Sequence, residues 1–364
     1  MRIVYVGTVP PLPGGISHSG AALTAALRRA GHEVEIISWA AQYPRLLYKG
    51  SARDKGAVAP EGAEFVLRWW APWTWWKAGR RARRADLLLL PWVTPAQAPA
   101  YCVVLAASRP APRLVVVHNP YPHEPRALDT ALTRVVLRQA DVLLAHSAAA
   151  AASISTLAPD VPVETTPLPP TLTITARPLP PHPPFKALFF GLVRPYKGLD
   201  IAIDALEILR SRGVPIELTV AGEFWEPVDP WNARIAAAGL TDAVRLRSGY
   251  VPDAEVNDLL AAHHIVFAPY RSATQSAVVP LAWAAGRPTV ATPVGGLVEQ
   301  VQDGENGVLA TAATGAAFAD AVTRAIDDLE SLATGALGAS RTAPTWEGVA
   351  AVVEAVAQRL RPSS

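Results

Sequence analysis

Cysteine is almost missing. Cys102 is the single one among 364 residues, so no intramolecular disulfide can form and a cysteine-built zinc site is excluded. A chain so poor in cysteine reads as cytosolic. Long apolar runs are missing too. Half the residues are hydrophobic, yet no run reaches the roughly 18 residues that a membrane-spanning helix needs. The first residues, Met1-Arg2-Ile3-Val4-Tyr5-Val6, are followed by no small-residue cleavage site and read as a first strand, not a secretory leader. There is no Walker loop, no G-x-G-x-x-G, no G-x-S-x-G elbow and no metal-spaced Cys/His cluster, which removes the commonest signatures of nucleotide hydrolysis, dinucleotide binding and esterase chemistry. An Asp-x-Asp pair is also absent, so no essential divalent ion is expected. A large net charge is lacking as well, at +2, but that value hides an asymmetry. Residues 1–176 hold 18 Lys and Arg against 11 Asp and Glu, and residues 177–364 hold 15 against 20. A basic part beside an acidic part suggests that the two meet different ligands.

What is present is a strand–helix alternation that occurs twice. In the first half, apolar runs at Arg2–Val6, Val34–Ser38, Ala63–Val66, Asp86–Leu90, Arg113–Val117 and Val142–Ala145 alternate with helical patterns at Ser17–Ala30, Trp75–Ala85, Pro95–Ala107, Arg126–Gln139 and Ala148–Leu157. Such runs belong to strands with helices on both faces, hence to a doubly wound parallel sheet. A proline-rich stretch, Pro159–Pro184, cannot be helical and reads as a semi-rigid connector. The alternation then restarts from Lys186, with strands at Lys186–Phe190, Ile216–Ala221, Val244–Arg247, Ile265–Ala268, Thr289–Ala291 and Gly307–Leu309. The expected organisation is an α/β domain over 1–176, a second over 177–344, and a last helix within 345–364 that neither sheet needs. Ligands in open α/β sheets bind at the carboxyl ends of the strands, so the two crevices are expected to open into one cleft.

Four stretches could carry chemistry. Gly7 to His18 joins the first strand to the first helix, and its Gly14-Gly15 pair lets backbone approach a ligand, with Ser17 reading as helix N-cap. The plain alternative is a tight turn. His118 follows three valines at a strand's carboxyl end and could hydrogen-bond a sugar hydroxyl, or be a half-buried structural histidine. His123 and Glu124 beyond it could begin the next helix. In the turn from Phe189 to Gly198, Gly191 and Gly198 frame Arg194 and Lys197, two cations able to hold a diphosphate and neutralise it as a leaving group. The fourth stretch, Pro269–Glu299, reads as strand end, small-residue loop, Ala-rich helix and strand, a unit that offers backbone N–H groups to an anion.

A fifth stretch, Arg68 to Arg84, holds Trp69, Trp70, Trp73, Trp75 and Trp76 among six basic residues, including Lys77, Arg80 and Arg81. Indoles beside cations suit an anionic bilayer interface or a lipid-bearing acceptor. The same residues suit a packed helix with a solvated basic face. Nucleic acid comes last, since no matching motif is present, and is not expected as a partner.

Taken together, PPLPGGISHSGAALTAALRRAGHEVEII, His118-Asn119, FFGLVRPYKGLDIAIDAL and PYRSATQSAVVPLAWAAGRPTVATPVGGLVEQVQDGENG resemble glycosyltransferase family 4, over nearly the whole chain. The resemblance implies the GT-B fold, two Rossmann-like domains facing across a cleft, with the last helix crossing back to the first domain. It implies retaining, metal-independent transfer of a hexose from a UDP- or GDP-sugar to a glycan or lipid-linked hydroxyl, in surface polysaccharide or glycolipid synthesis at the cytoplasmic face of the membrane. His118, Arg194 and Lys197 then match the catalytic positions. Gly14, Gly15, Gly191, Tyr250, Val251, Thr274, Gln275 and Ser276 match the donor site, and Trp73, Trp75, Trp76, Lys77, Arg80 and Arg81 would face acceptor or membrane. One departure stands out. The family's two glutamates, spaced E-x7-E, align with Ala273 and Leu281, neither of which can accept a hydrogen bond from sugar or ribose through its side chain. An SATQS-type loop in their place reads as a subgroup feature. The alternative function is a non-catalytic nucleotide-sugar binder or scaffold. A sugar-nucleotide epimerase would need acid/base carboxylates that these stretches lack.

Overall fold

Ile3–Val6 is wholly buried because it forms a central strand of a sheet covered on both faces. The computed structural model describes residues 1–43, 56–121 and 127–361, and the chain divides into two units, Met1–Thr171 with Pro344–Ser364 and Leu172–Ala343. The first division falls a few residues before the expected 176/177, inside the proline-rich stretch. Among the described residues no helix is long and apolar enough to cross a membrane.

The first unit carries strands β1 (Arg2–Val6), β2 (Glu33–Ala41), β3 (Ala63–Arg68), β4 (Leu87–Trp92), β5 (Arg113–Val117), β6 (Val142–Ala145) and β7 (Val163–Thr165). All pair in parallel, in the order β3-β2-β1-β4-β5-β6-β7, so the winding direction reverses between β1 and β4. Helices α1 (Gly15–Arg29), α2 (Pro72–Ala82), α3 (Ala98–Ala107), α4 (Asp129–Leu137) and α5 (Ala148–Leu157) supply the crossovers. Three local expectations are corrected. The proline-rich stretch is not all connector: Val163–Thr165 forms edge strand β7, where flanking Pro162 and Pro167 remove no ladder donor. Helix α1 starts at Gly15, with Gly14 (φ 104°) as its N-cap; Ser17 is buried in the first turn and does not cap it. Helix α2 starts at Pro72, well placed at the first helical position where its missing N–H costs nothing, and not at Trp75. His123, Glu124 and Arg126 lie outside the described residues.

The second unit repeats the design with β8 (Phe185–Phe190), β9 (Ile216–Gly222), β10 (Val244–Ser248), β11 (Ile265–Ala268), β12 (Thr289–Ala291) and β13 (Gly307–Leu309). These too are parallel, in the order β10-β9-β8-β11-β12-β13, reversing between β8 and β11. Its helices are α6 (Leu199–Ser211), α7 (Asp229–Ala237), α8 (Asp253–Ala261), α9 (Val278–Ala284), α10 (Leu297–Gln300), α11 (Gly315–Asp327) and α12 (Leu329–Thr342). Helix α12 has no counterpart in the sequence reading. Gly335, Gly338 and its Ser and Thr residues are poor helix formers, and packing against α9 overrides them. Arg287 is 1% exposed and, among the described residues, pairs with no carboxylate. Its guanidinium donates to the carbonyls of Leu260, Ala261, Ala285, Arg177 and Pro178, and burial pulls its pKa down to about 10. It stitches the end of the connector onto this unit. The last helix, α13 (Trp346–Leu360), packs on α1 in the first unit. Arg29–Glu347 and Arg359–Glu164 ion pairs and a Trp346 Nε1 bond to the Pro170 carbonyl hold it there.

Candidate functional site

In the second unit, the turns after β8 and β11 lie side by side where the winding reverses, the position at which doubly wound sheets open a crevice. Beyond β8, Gly191 donates to the Ala221 carbonyl, and a single tight turn over Pro195–Lys197 folds the Lys197 side chain inward. Gly198 closes that turn in the left-handed region (φ 69°), and a Cβ there would stand 1.9 Å from the Pro269 carbonyl oxygen. Only glycine lets the turn settle on the end of β11. Lys197 is 9% exposed. Its Nζ donates to the Tyr270 hydroxyl at 2.7 Å and lies 4.1 Å from that ring's centroid. Burial alone would lower the Lys197 pKa; contact with Tyr270 and Tyr196 outweighs it and holds the pKa above the ordinary value. The ammonium therefore stays charged at neutral pH. Arg194 is half-buried, its guanidinium 4.3 Å over the Trp225 ring.

The small-residue loop after β11 is held from behind. The Tyr270 hydroxyl reaches Ser276 Oγ at 3.3 Å, so Lys197, Tyr270 and Ser276 form one polar chain. Gln300 clamps Ser276 by both backbone groups, accepting from its N–H at 2.8 Å and donating to its carbonyl at 2.9 Å. Gly296 N donates to the Ala273 carbonyl. Gly295 (φ 48°) passes so close that a Cβ would be 1.7 Å from the same oxygen. Ser276 Oγ accepts from the Val278 N–H at 3.3 Å. Helix α9 has only seven residues, so the dipole anticipated there is weak. Gln275 Oε1 is buried with no hydrogen-bond partner among the described residues. Leu281, in place of the second family glutamate, is packed with Leu188, Val251 and Val266. Val251 is thus part of an apolar cluster, and Tyr250 donates to Asp253 at 3.1 Å.

In the first unit, His118 and His146 leave the adjacent strands β5 and β6 at the same level, since Val117 pairs with Ala145. Their rings are 5.3 Å apart. They line a small crevice with Tyr5, Ser19, Gly20 and Trp346, next to the first turns of α1 that Gly14 and Gly15 begin. Burial, and secondarily His146, pushes the His118 pKa down to about 3. Burial takes His146 to about 4, against a hydrogen bond to the Thr166 carbonyl. Both imidazoles are neutral at pH 7.

The tryptophan-rich stretch is split by the structure. Trp75, expected on the surface, is buried and donates from Nε1 to the Arg68 carbonyl at 2.8 Å. Arg81 is half-buried and paired with Glu64 and Glu35. Trp73 and Trp76 are 60% and 53% exposed, joined outside by Trp69 and Trp70 at 42% and 48%. Lys77, Arg80, Arg83 and Arg84 are exposed beside them. Helical periodicity explains the split: Trp75, Ala78, Gly79 and Ala82 fall on the face packed against α3.

Sequence reasoning passed over Tyr270, Trp225, Gln300, Gly295 and His146. Tyr270 and His146 sit one or two residues past buried strands, the same signal that singled out His118. Gln300 acts from a neighbouring turn and left no local pattern.

Two parallel, doubly wound sheets, each reversing its winding direction once, define an α/β protein of the GT-B class. The chain belongs to glycosyltransferase family 4: the model described as Glycosyltransferase Family 4 matches residues 13–169, and that described as Glycosyl transferases group 1 matches residues 184–328. D-inositol 3-phosphate glycosyltransferase 1 of Catenulispora acidiphila is 32% identical over 211 residues, covering 55% of this chain and 50% of that protein. Alpha-D-kanosaminyltransferase of Streptomyces kanamyceticus is 28% identical over 144 residues, 39% of this chain and 36% of that one. The matches thus span half or less of these relatives. Among solved structures, sucrose-phosphate synthase from Thermosynechococcus elongatus superposes with a TM-score of 0.76 at 15% identity, covering 99% of both chains. Anabaena HepE in complex with UDP gives 0.72 at 21% identity, again covering 99% of both. At these identities the likeness is one of fold.

Proposed function

We propose that this protein is a retaining, metal-independent hexosyltransferase that takes its sugar from a nucleotide-sugar. The observation that carries this reading is the Arg194–Lys197 turn, with its buried ammonium, set against the small-residue loop where the sheet reverses. The unit Leu172–Ala343 would bind the nucleotide diphosphate, and the unit that contains His118 would bind the acceptor. In a front-face substitution the bond from the sugar's anomeric carbon to the diphosphate oxygen breaks. The acceptor oxygen bonds to that carbon on the same face, and the hydroxyl proton passes to the departing diphosphate. Arg194 and Lys197 would meet the charge that builds on the leaving group. His118, held neutral, would hydrogen-bond a hydroxyl without adding charge. Tyr250 and the backbone at Val251 would meet the base. Gly191, Thr274, Gln275 and Ser276 would surround phosphate and sugar. The acceptor would be a glycan or lipid-linked hydroxyl in surface polysaccharide or glycolipid synthesis, with the exposed face of α2 resting on an anionic membrane at the cytoplasmic side.

The test is a donor panel of UDP-, GDP- and dTDP-hexoses, UDP-glucose included because HepE has been crystallised with it. Acceptors should include inositol 3-phosphate, for which several relatives are named, and short lipid-linked glycans. Release of nucleoside diphosphate is expected with one donor. Silence across the panel, with or without acceptor, would count against transfer. A second reading, a non-catalytic nucleotide-sugar binder, is favoured by one observation: Leu281 is packed into an apolar cluster where the family carries a glutamate. Tight calorimetric binding without turnover would support it.

A further inference from the structure

The Tyr270 hydroxyl stands between Lys197 and Ser276, and the reading above gives it no role. All three residues belong to the unit Leu172–Ala343. Each is more than nine-tenths buried: Lys197 is 9% exposed, Ser276 3% and Tyr270 2%. A buried ammonium normally has a carboxylate beside it. Lys197 pairs with none among the described residues; its hydrogen bond goes to the Tyr270 hydroxyl, with the Tyr196 ring centroid 5.8 Å away. The charged groups on the adjoining turns, Arg271 and Asp200, pair with each other. A phenol hydroxyl satisfies an ammonium without cancelling its charge. Burial disfavours the ammonium, and Tyr270 is the first of the contacts that offset it. The hydroxyl is held firmly: the Tyr270 ring is buried in a cluster with Val279, Trp283 and Leu297. The N–H of the next residue, Arg271, donates to the Tyr196 carbonyl at 2.7 Å.

This cluster carries a surplus of donors. Lys197 only donates, and so does the Val278 N–H that reaches Ser276 Oγ. The Tyr270 and Ser276 hydroxyls share a single bond. Whichever of them donates in it, the other keeps an O–H with no acceptor among the described residues. The remaining N–H groups of Lys197 are likewise unused within the protein. Buried donors left unpaired are costly, so the cluster calls for an acceptor from outside, and the charge makes that acceptor an anion. We propose that Tyr270 is a positioning residue for the diphosphate of a nucleotide. It holds the Lys197 ammonium with its charge uncancelled. By giving its own proton to Ser276 Oγ, it leaves the Ser276 O–H and the other Lys197 N–H groups to one anion. The inference rests on the transfer reading and adds to it the residue that keeps Lys197 charged and aimed.

Tyr270→Phe keeps the ring and removes the hydroxyl. Calorimetry on the full chain with UDP, GDP and dTDP would find the nucleotide that binds. For that nucleotide, wild-type affinity should stay level from about pH 7.5 to about pH 9.5, because Lys197 remains charged throughout. In Tyr270→Phe it should be about tenfold weaker at the lower pH, the loss of a hydrogen bond to a charged group. It should weaken further as pH rises, because a buried ammonium without its acceptor gives up its proton sooner. Near about pH 9, binding should then take up a proton in Tyr270→Phe and none in the wild type, read from calorimetry in two buffers of different ionisation heat. In a Lys197→Ala background most of the effect of Tyr270→Phe should vanish, since the tyrosine acts through the lysine; a tyrosine needed only for packing costs the same in both. Without any variant, the nitrogen-15 resonance of Lys197 Nζ should be that of an ammonium up to about pH 9.5 and should shift when the nucleotide binds. An amine signal below that pH overturns the inference and leaves the transfer reading standing. So does unchanged affinity and pH dependence in Tyr270→Phe, or an equal cost in both backgrounds. If the wild type binds none of the three nucleotides, the transfer reading falls, and the inference with it.

Discussion

In the proposed donor site, Lys197 is the residue whose charge is fixed in advance. Its Nζ is fixed by the Tyr270 hydroxyl and stays charged although buried, so the charge is positioned before any ligand arrives. Removing one preorganised partner of a developing anion typically costs about 10²–10³ in rate. Lys197→Ala and Arg194→Ala should each lower kcat/KM by at least about 100-fold, and Gln275→Ala by less than about tenfold; steady-state kinetics with the active donor would show the ranking. If Gln275→Ala proves the most damaging, charge neutralisation is assigned to the wrong residues. The histidines give a second prediction. In the unfolded chain His118 and His146 titrate near 6.5, but when folded near about 3 and 4. Between these values the unfolded state binds more protons, so their contribution is full above about pH 6.5 and falls as pH drops toward 4. His263 and His264, also lowered chiefly by burial, act in the same direction. Thermal unfolding should therefore occur at clearly lower temperature at pH 5 than at pH 7.5. His146→Asn should flatten that dependence by roughly 1–2 kcal/mol. An unchanged slope would mean that His146 is hydrated when folded.

At the scale of elements, the loop between β11 and α9 depends on a turn remote in sequence. Gly295 lies where a Cβ would meet the Ala273 carbonyl at 1.7 Å, and Gln300 brackets Ser276. Gly295→Ala should displace the loop and weaken nucleoside diphosphate binding by at least tenfold, with a stability loss of roughly 1–3 kcal/mol. Gln300→Ala should raise amide exchange across residues 272–276 while leaving the sheet protected. Calorimetry and hydrogen exchange check the two, and normal exchange in the loop would remove Gln300 from its support. The same example shows what the sequence could tell. Strands such as Arg113–Val117 and Ile265–Ala268 were legible to the residue because burial on both faces demands unbroken apolar runs. The carboxyl end of Arg113–Val117 pointed to His118, and that of the strand at Lys186–Phe190 to Arg194 and Lys197. The support by Gln300 and Gly295 was not legible, because a through-space contact leaves no period in the chain. Helix α12 was hidden for a related reason: packing against α9, not propensity, makes Leu329–Thr342 helical.

At the scale of the whole molecule, charge and tryptophan are unevenly shared. The excess of positive charge lies in residues 1–176, and four exposed tryptophans cluster at Trp69, Trp70, Trp73 and Trp76 with Lys77, Arg80, Arg83 and Arg84 beside them. Solvated helices rarely expose four indoles within eight residues. The indoles suit the headgroup layer of a bilayer, and the cations suit anionic lipid, at about 1 kcal/mol each near the surface. Trp75 and Arg81 do not contribute, since one is packed inward and the other is paired with Glu35 and Glu64. The protein should sediment with vesicles containing phosphatidylglycerol at low ionic strength, and much less with phosphatidylcholine alone or at about 0.5 M salt, where screening is nearly complete. Trp73→Ala with Trp76→Ala should weaken binding at every salt concentration, because the apolar contribution is not screened. Lys77→Ala with Arg80→Ala should weaken it mainly at low salt. Those two pairs of variants distinguish insertion from simple charge attraction: if the tryptophan pair has no effect, the exposed indoles serve another partner and the membrane assignment of α2 fails.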